Sequence, residues 1–272
     1  MDHGPASETE RLLVALETSG PVGSVAAALD GRVVAEDHFE RGMRHGRELV
    51  PHLAAMCRDL GRGPSTIQVV AVSVGPGSYT GLRVGVTCAK TLAFATGASL
   101  VPVSTLETLA QNALRVSNVE CQVSSTDFEL QSSPDTRHST LDTRHSGVAV
   151  VTDASRGQVC AAFFRREAQG LVRLTDDLLL DPADFCARLT PGTLVLGDAI
   201  PPYAAVLEAA AGRIAGLRLA DPALAVAHAR HVATLGWRDF RAGRTVPAHD
   251  LTPVYLRRPE AIDRLLRRQG KA

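Results

Sequence analysis

Apolar positions along this chain recur with two periods, one of strand type and one of helix type. After a polar start, "RLLVALE" and "VGSVAAALD" read as strands, and Asp30-Gly31 gives a two-residue hairpin turn into "RVVAEDHF". Three antiparallel strands are expected there. In "HGRELVPHLAAMCRDLG" the period lengthens: Leu49, Leu53, Met56, Cys57 and Leu60 fall at helical spacing, and Gly61 stops the pattern. "IQVVAVSVG" is a continuous apolar run suited to a buried parallel strand. The loop "GPGSYTG" follows, then a helix from about Thr80 to Thr96. "SLVPVS" is another strand, and Ser104 with Glu107 predicts a capping box for "TLETLAQNAL".

From about Arg115 the texture changes. The stretch to Ser146 is rich in Ser and Thr, and "DTRHS" occurs in it twice, at Asp135 to Ser139 and Asp142 to Ser146. With so little apolar content to offset ordering, it reads as a disordered surface insertion. Beyond it, "GVAVVTDA", "QVCAAFFRRE" and "LVRLTDDLLL" read as strands and Asp181 to Leu189 as a short capped helix. "TLVLGDA" is a strand, "PYAAVLEAAAG" a helix, "IAGLRLA" a strand, and Pro222 to about Arg241 a long helix. A βββαβα order thus occurs twice without sequence repetition. That predicts an α/β fold of two lobes on the duplicated plan of the ASKHA class, which includes actin, Hsp70 and sugar kinases. Residues 11–114 would form the first lobe and 147–258 the second. Residues 1–10 would be a flexible start, 115–146 the insertion and 259–272 a basic tail.

Composition narrows the function. The chain has 272 residues, 45% of them hydrophobic, and 29 basic against 29 acidic side chains. No overall field draws it to nucleic acid or an anionic membrane. Five widely spaced cysteines include no CxxC pair, which suits free thiols in a reducing compartment. No apolar run approaches membrane-spanning length, so a cytoplasmic protein is expected.

Folds of this class hold a nucleotide between their lobes, with an acidic residue for magnesium. Glu17 in "LETSGPVGS" and Asp153 in "TDASRGQV" are the candidates, but both also fit as acceptors within turns. The adenosine side of such a site wants a paired-glycine turn, and "LVLGDAI" offers only Gly197, so the nucleotide site reads as degenerate. The loop Gly75, Pro76, Gly77, Ser78, Thr80, Gly81 and Arg83 matches no GxxxxGK[ST] motif. Ser78 or Thr80 could cap the next helix, or its N-terminus could take an anion. Along that helix Gly81, Gly85, Ala89, Ala93 and Gly97 recur every fourth residue, a smooth stripe that lets another helix approach closely. The neighbour could belong to the same chain or to a partner. His45, Glu48 and His52 lack the i, i+4 histidine pair of helical zinc sites, and His228 and His231 have no carboxylate or cysteine at ligand spacing. No GxSxG or cysteine–histidine signature is present.

"LLVALETS", "HGRELVPHL", "AVSVGPGSYTGLRVGVTCAKTLA", "LVPVSTLETLA", "TDASRGQV", "LVLGDA" and "PVYLR" stand in the order and spacing of the TsaB (YeaZ) family, which this chain resembles over nearly its whole length. Glu17 stands where that family usually has Asp, and "DASRGQV" replaces the commoner DARRGEVY. The resemblance implies a non-catalytic scaffold, with no intrinsic cofactor or metal, that binds and activates a TsaD-like transferase. That enzyme makes N6-threonylcarbamoyladenosine beside the anticodon of tRNAs reading ANN codons. A TsaE-like ATPase would join them, ATP and metal would sit on the partner subunits, tRNA would be met through the complex, and the chain alone could pair with itself. Carried onto this chain, the docking helices are His45 to Leu60 and Thr80 to Thr96. The expected contacts are then Leu49, Leu53, Met56, Cys57, Gly81, Gly85, Ala89 and Ala93. Gly85→Leu or Leu53→Arg would abolish the heterodimer while leaving the monomer folded. The alternative is an independent ATP-dependent phosphotransferase of the same fold.

Overall fold

A computed structural model describes residues 10–40, 45–115 and 147–257. The expected flexible start, the DTRHS-containing insertion and the basic tail lie outside those residues. Two compact units divide the chain: residues 1–109, 177–179 and 226–272 in one, and 110–176 and 180–225 in the other.

The first unit is built on a five-stranded sheet. Its strands are β1 (Leu12–Glu17), β2 (Ser24–Leu29), β3 (Arg32–His38), β4 (Ile67–Gly75) and β5 (Ser99–Ser104), in the order β3-β2-β1-β4-β5. The hairpin pairings β1–β2 and β2–β3 are antiparallel, and β1–β4 and β4–β5 are parallel. Asp30 (φ 46°) and Gly31 (φ 86°) both turn left-handed between β2 and β3, as the hairpin reading requires.

Side-chain alternation sends each strand to two cores. Leu12, Val14 and Leu16 face a cluster with Leu49, Leu53, Val86 and Ala89, from α1 (His45–Asp59) and α2 (Tyr79–Thr96). Leu13 and Ala15 face the other side, against Ala229, Val232 and Ala233 of α6 (Ala229–Arg241). The chain assigns that last helix differently from the pattern reading. Pro222–Ala225 is a separate short 3-10 turn, and α6 packs on the first sheet rather than within a second lobe. Its approach is close, since a Cβ on Gly236 would stand 2.4 Å from that of Ala71.

After β5, α3 (Thr105–Ala110) follows, and only half of the expected capping box is made. Glu107 N–H donates to Ser104 Oγ at 3.4 Å, while the Glu107 carboxylate instead accepts from Arg238 Nη1 at 2.7 Å.

In the second unit, β6 (Gly147–Asp153), β7 (Val159–Glu167), β8 (Gly170–Arg173), β10 (Thr193–Leu196) and β11 (Arg218–Leu219) form a sheet path ordered β11-β10-β6-β7-β8. Antiparallel β6–β7 and β7–β8 pairs and parallel β10–β6 and β10–β11 pairs repeat the first sheet's plan. The stretch read as one strand, "LVRLTDDLLL", is divided into β8 and β9 (Leu178–Leu180). Helices α4 (Pro182–Ala187) and α5 (Ala204–Ala211) cover an apolar cluster that includes Val151, Phe185, Val195 and Leu207. The expected duplicated α/β architecture is therefore present. Among the described residues no helix is long and apolar enough to cross a membrane.

Candidate functional site

The glycine loop leaves β4 at Gly75, whose φ of 119° and closeness to the Val254 carbonyl leave no room for a side chain. Ser78 caps α2, its Oγ accepting from Gly81 N–H at 3.2 Å. Its own N–H donates to the Ser19 carbonyl at 2.7 Å. Two of the amides that could hold an anion are thus spent within the chain, and a Cβ on Gly77 would lie 2.6 Å from the same Ser19 carbonyl. The loop is pressed onto the turn after β1.

Beneath it Glu17 is fully buried. One carboxyl oxygen accepts from Ser19 N–H at 2.6 Å and from Ser19 Oγ at 2.5 Å. Burial raises the Glu17 pKa, against the pull of those Ser19 hydrogen bonds. In the second unit Asp153 does comparable work, accepting from Ser155 N–H at 2.8 Å and from the Tyr203 hydroxyl at 3.2 Å. Both carboxylates serve as turn acceptors. His45 is likewise internal, 2% exposed, with Nε2 donating to the Gly20 carbonyl at 2.9 Å.

The small-residue stripe points inward, which corrects the expected docking residues. A Cβ on Gly81 would fall 2.0 Å from the Thr18 carbonyl oxygen, and one on Gly85 would fall 2.4 Å from Thr18 Oγ1. Ala89 and Ala93 are buried in the same cluster as Leu12, Val70 and Val72. The stripe is small because the end of β1 passes directly under α2, where Thr18 Oγ1 donates to the Gly81 carbonyl at 2.8 Å. Leu53, Met56 and Cys57 are core residues as well, and Leu49, 1% exposed, reaches the surface only as the floor of a groove. Gly85→Leu and Leu53→Arg would therefore break the monomer itself, contrary to the expectation above.

What the same two helices leave outside is a different set of side chains. A groove of about 680 Å³ runs between α1 and α2, lined by Val50, Tyr79, Arg83, Val84, Cys88 and Leu92 among others. Val50 is 59% exposed and Tyr79 47%, and Phe94, further along α2, is 90% exposed. At one end the Arg83 guanidinium lies 4.8 Å over the Tyr79 ring, which in turn packs 5.0 Å from Tyr255. Burial pushes the Cys88 thiol up to about 11, so it stays protonated at neutral pH. The pattern reading missed this face because its residues mix Val, Thr, Cys, Arg and Tyr, with no apolar period to mark them.

The family model for TsaD, tRNA N6-adenosine threonylcarbamoyltransferase, matches residues 40–123, the part that carries both groove helices. The Escherichia coli protein named tRNA threonylcarbamoyladenosine biosynthesis protein TsaB is 27% identical over 258 residues, covering 93% of this chain and 97% of that protein. Over nearly its whole length the chain is similar to the TsaB (YeaZ) proteins. The Bacillus subtilis protein of the same name is 36% identical over 100 residues, a match to 37% of this chain and 44% of that protein's length. In fold, YeaZ from Pseudomonas aeruginosa superposes with a TM-score of 0.68 at 23% identity, over 90% of this chain and all (100%) of that one. The motif that carries the TsaB resemblance, Gly75 to Arg83, is here a packing device: it seats α2 on β1 and so fixes which side of α2 faces solvent.

Proposed function

We propose that this chain serves N6-threonylcarbamoyladenosine synthesis on tRNA as a non-catalytic subunit that docks a TsaD-like transferase on the outward face of α1 and α2. One observation carries the reading: the exposed apolar groove lies within the segment that also matches the TsaD family model. Two proteins sharing a helix pair can meet through equivalent faces, as isologous dimers do, and bury both grooves in one four-helix contact. Val50 and Tyr79 are suited to its centre, since apolar and aromatic side chains in desolvated pockets supply most binding energy. A TsaE-like ATPase would join the pair, with ATP and the transfer metal on the partners and tRNA engaged through the assembly. The closed loop over Ser19 and the internal bonding of Glu17 favour this over an independent phosphotransferase.

The test is co-purification of the full chain with the TsaD-like protein of the same genome, followed by threonylcarbamoyl transfer to tRNA. Transfer should need both chains, and a Val50→Arg, Thr87→Arg variant should lose the complex. Transfer by this chain alone, or an undisturbed complex, would sink the proposal. Self-pairing of this chain that persists in the presence of the transferase would assign the groove to a homodimer instead.

A further inference from the structure

Glu36 and His38 project from one face of β3, and the fold brings His228, just ahead of α6, against them. We propose that Glu36, His38 and His228 form a zinc-binding site that ties the edge strand of the first sheet to the start of α6. His38 Nε2 lies 3.6 Å from Glu36 Oε2, and His228 Nδ1 lies 4.0 Å from Glu36 Oε1. One ligand atom from each residue falls within 4.8 Å of the others, and the two imidazole rings meet edge to face at 5.3 Å. Tetrahedral zinc with bonds of about 2.0–2.2 Å holds its ligand atoms roughly 3.3–3.6 Å apart, so small side-chain rotations would close the site.

The donor set is two imidazoles and a carboxylate, which suits zinc and leaves a fourth position for water. Glu36 is already oriented for the task. Its Oε1 accepts from Arg230 N–H at 3.0 Å and its Oε2 from Arg230 Nη1 at 2.7 Å. Each carboxylate oxygen has a second lone pair, so those bonds can persist as the outer shell of a metal site. Burial works against the charged form of Glu36, but the Arg230 contacts outweigh it and hold the pKa below the usual carboxylate value, so no proton need leave on binding. The Arg230 guanidinium also repels a dication, which weakens the affinity. The His38 side chain is 41% exposed and gives the ion a way in. His228 sits at the N-cap of α6 with extended backbone.

Calorimetric titration of the chelator-stripped full chain with zinc chloride tests the site. His138 and His145 of the DTRHS repeats are first replaced by alanine, so that they cannot contribute. One equivalent of zinc should bind and raise the melting temperature. His38→Ala or His228→Asn should weaken binding about tenfold or more and abolish that rise, while the zinc-free melting temperature barely changes. His52→Ala, outside the cluster, should bind as its parent does. The proposal is overturned if both cluster variants bind zinc like their parent, or if the parent shows no saturable binding at submillimolar zinc. His38→Ala alone decides the matter if His228→Asn does not fold, since His38 lies on an exposed edge strand.

Discussion

Replacing Gly81 by alanine probes most directly where α2 turns its small residues. On helix propensity alone the change should stabilise by about 1 kcal/mol. The added Cβ would stand 2.0 Å from the Thr18 carbonyl oxygen and 3.2 Å from His45 Cδ2. The first neighbour is backbone and cannot swing aside, so helix and strand end must part. Such overpacking costs ~1–3 kcal/mol, and occasionally more. Parting them also stretches the 2.8 Å bond from Thr18 Oγ1 to the Gly81 carbonyl, worth about 1 kcal/mol. Offset by propensity, the net loss is ~1–3 kcal/mol, which at roughly 2–4 °C per kcal/mol lowers the melting temperature by about 2–12 °C. Calorimetry on the chain alone measures it. Gly46→Ala in α1 is the control, because its Cβ would meet only Val84 Cγ2, at 3.9 Å. A stripe that faced solvent, waiting for a partner, would make the two variants alike. A melting temperature for Gly81→Ala at or above the parent's would refute the packing argument.

Val50→Arg with Thr87→Arg should leave the melting temperature within the shift of ~0.5 kcal/mol typical of surface changes. The same pair should weaken binding to the TsaD-like partner by at least about thirtyfold, as loss of a 2 kcal/mol hot spot does. Surface plasmon resonance against the transferase would show it, and intact affinity would exclude the groove. For Glu17 the sign follows from burial, which raises its pKa above the ordinary 4.5. Native stability from this group is then full below pH 4.5 and is lost as pH rises through the folded value. Thermal melts of Glu17→Gln and its parent should therefore diverge in the variant's favour as pH rises above 4.5, and a difference independent of pH would contradict the assignment. Cys88, its thiol held protonated by burial, should resist alkylation at pH 7.5 in the native chain and react once denatured. Peptide mass spectrometry reads the outcome, and rapid native labelling would argue against a thiol held protonated.

Hydrophobic period marks burial, and burial in this chain is overwhelmingly internal. Leu49, Leu53, Met56 and Cys57 were identifiable as one face of a helix, and Gly81 to Ala93 as another, because both faces answer to the same sheet. Period alone cannot say whose surface a stripe meets. That needed the position of Thr18, whose carbonyl fills the space a side chain at Gly81 would take. The helix ending at Arg241 was recognisable for the same reason. Its attachment to the first sheet was not, since α6 reaches β1 and β4 from the far end of the chain, by way of Leu13 and Ala71. A docking face obeys a further constraint that hides it from pattern reading. It must stay soluble while unpartnered, so Val50, Val84 and Leu92 are diluted with Thr80, Arg83, Thr87 and Thr91 until no period remains. Only when the apolar stripes are assigned to the core does the residue set left on α1 and α2 stand out as a surface that nothing among the described residues covers. The same holds for Glu36, His38 and His228, which no linear spacing joins: β3 and the start of α6 bring together donors that lie far apart along the chain.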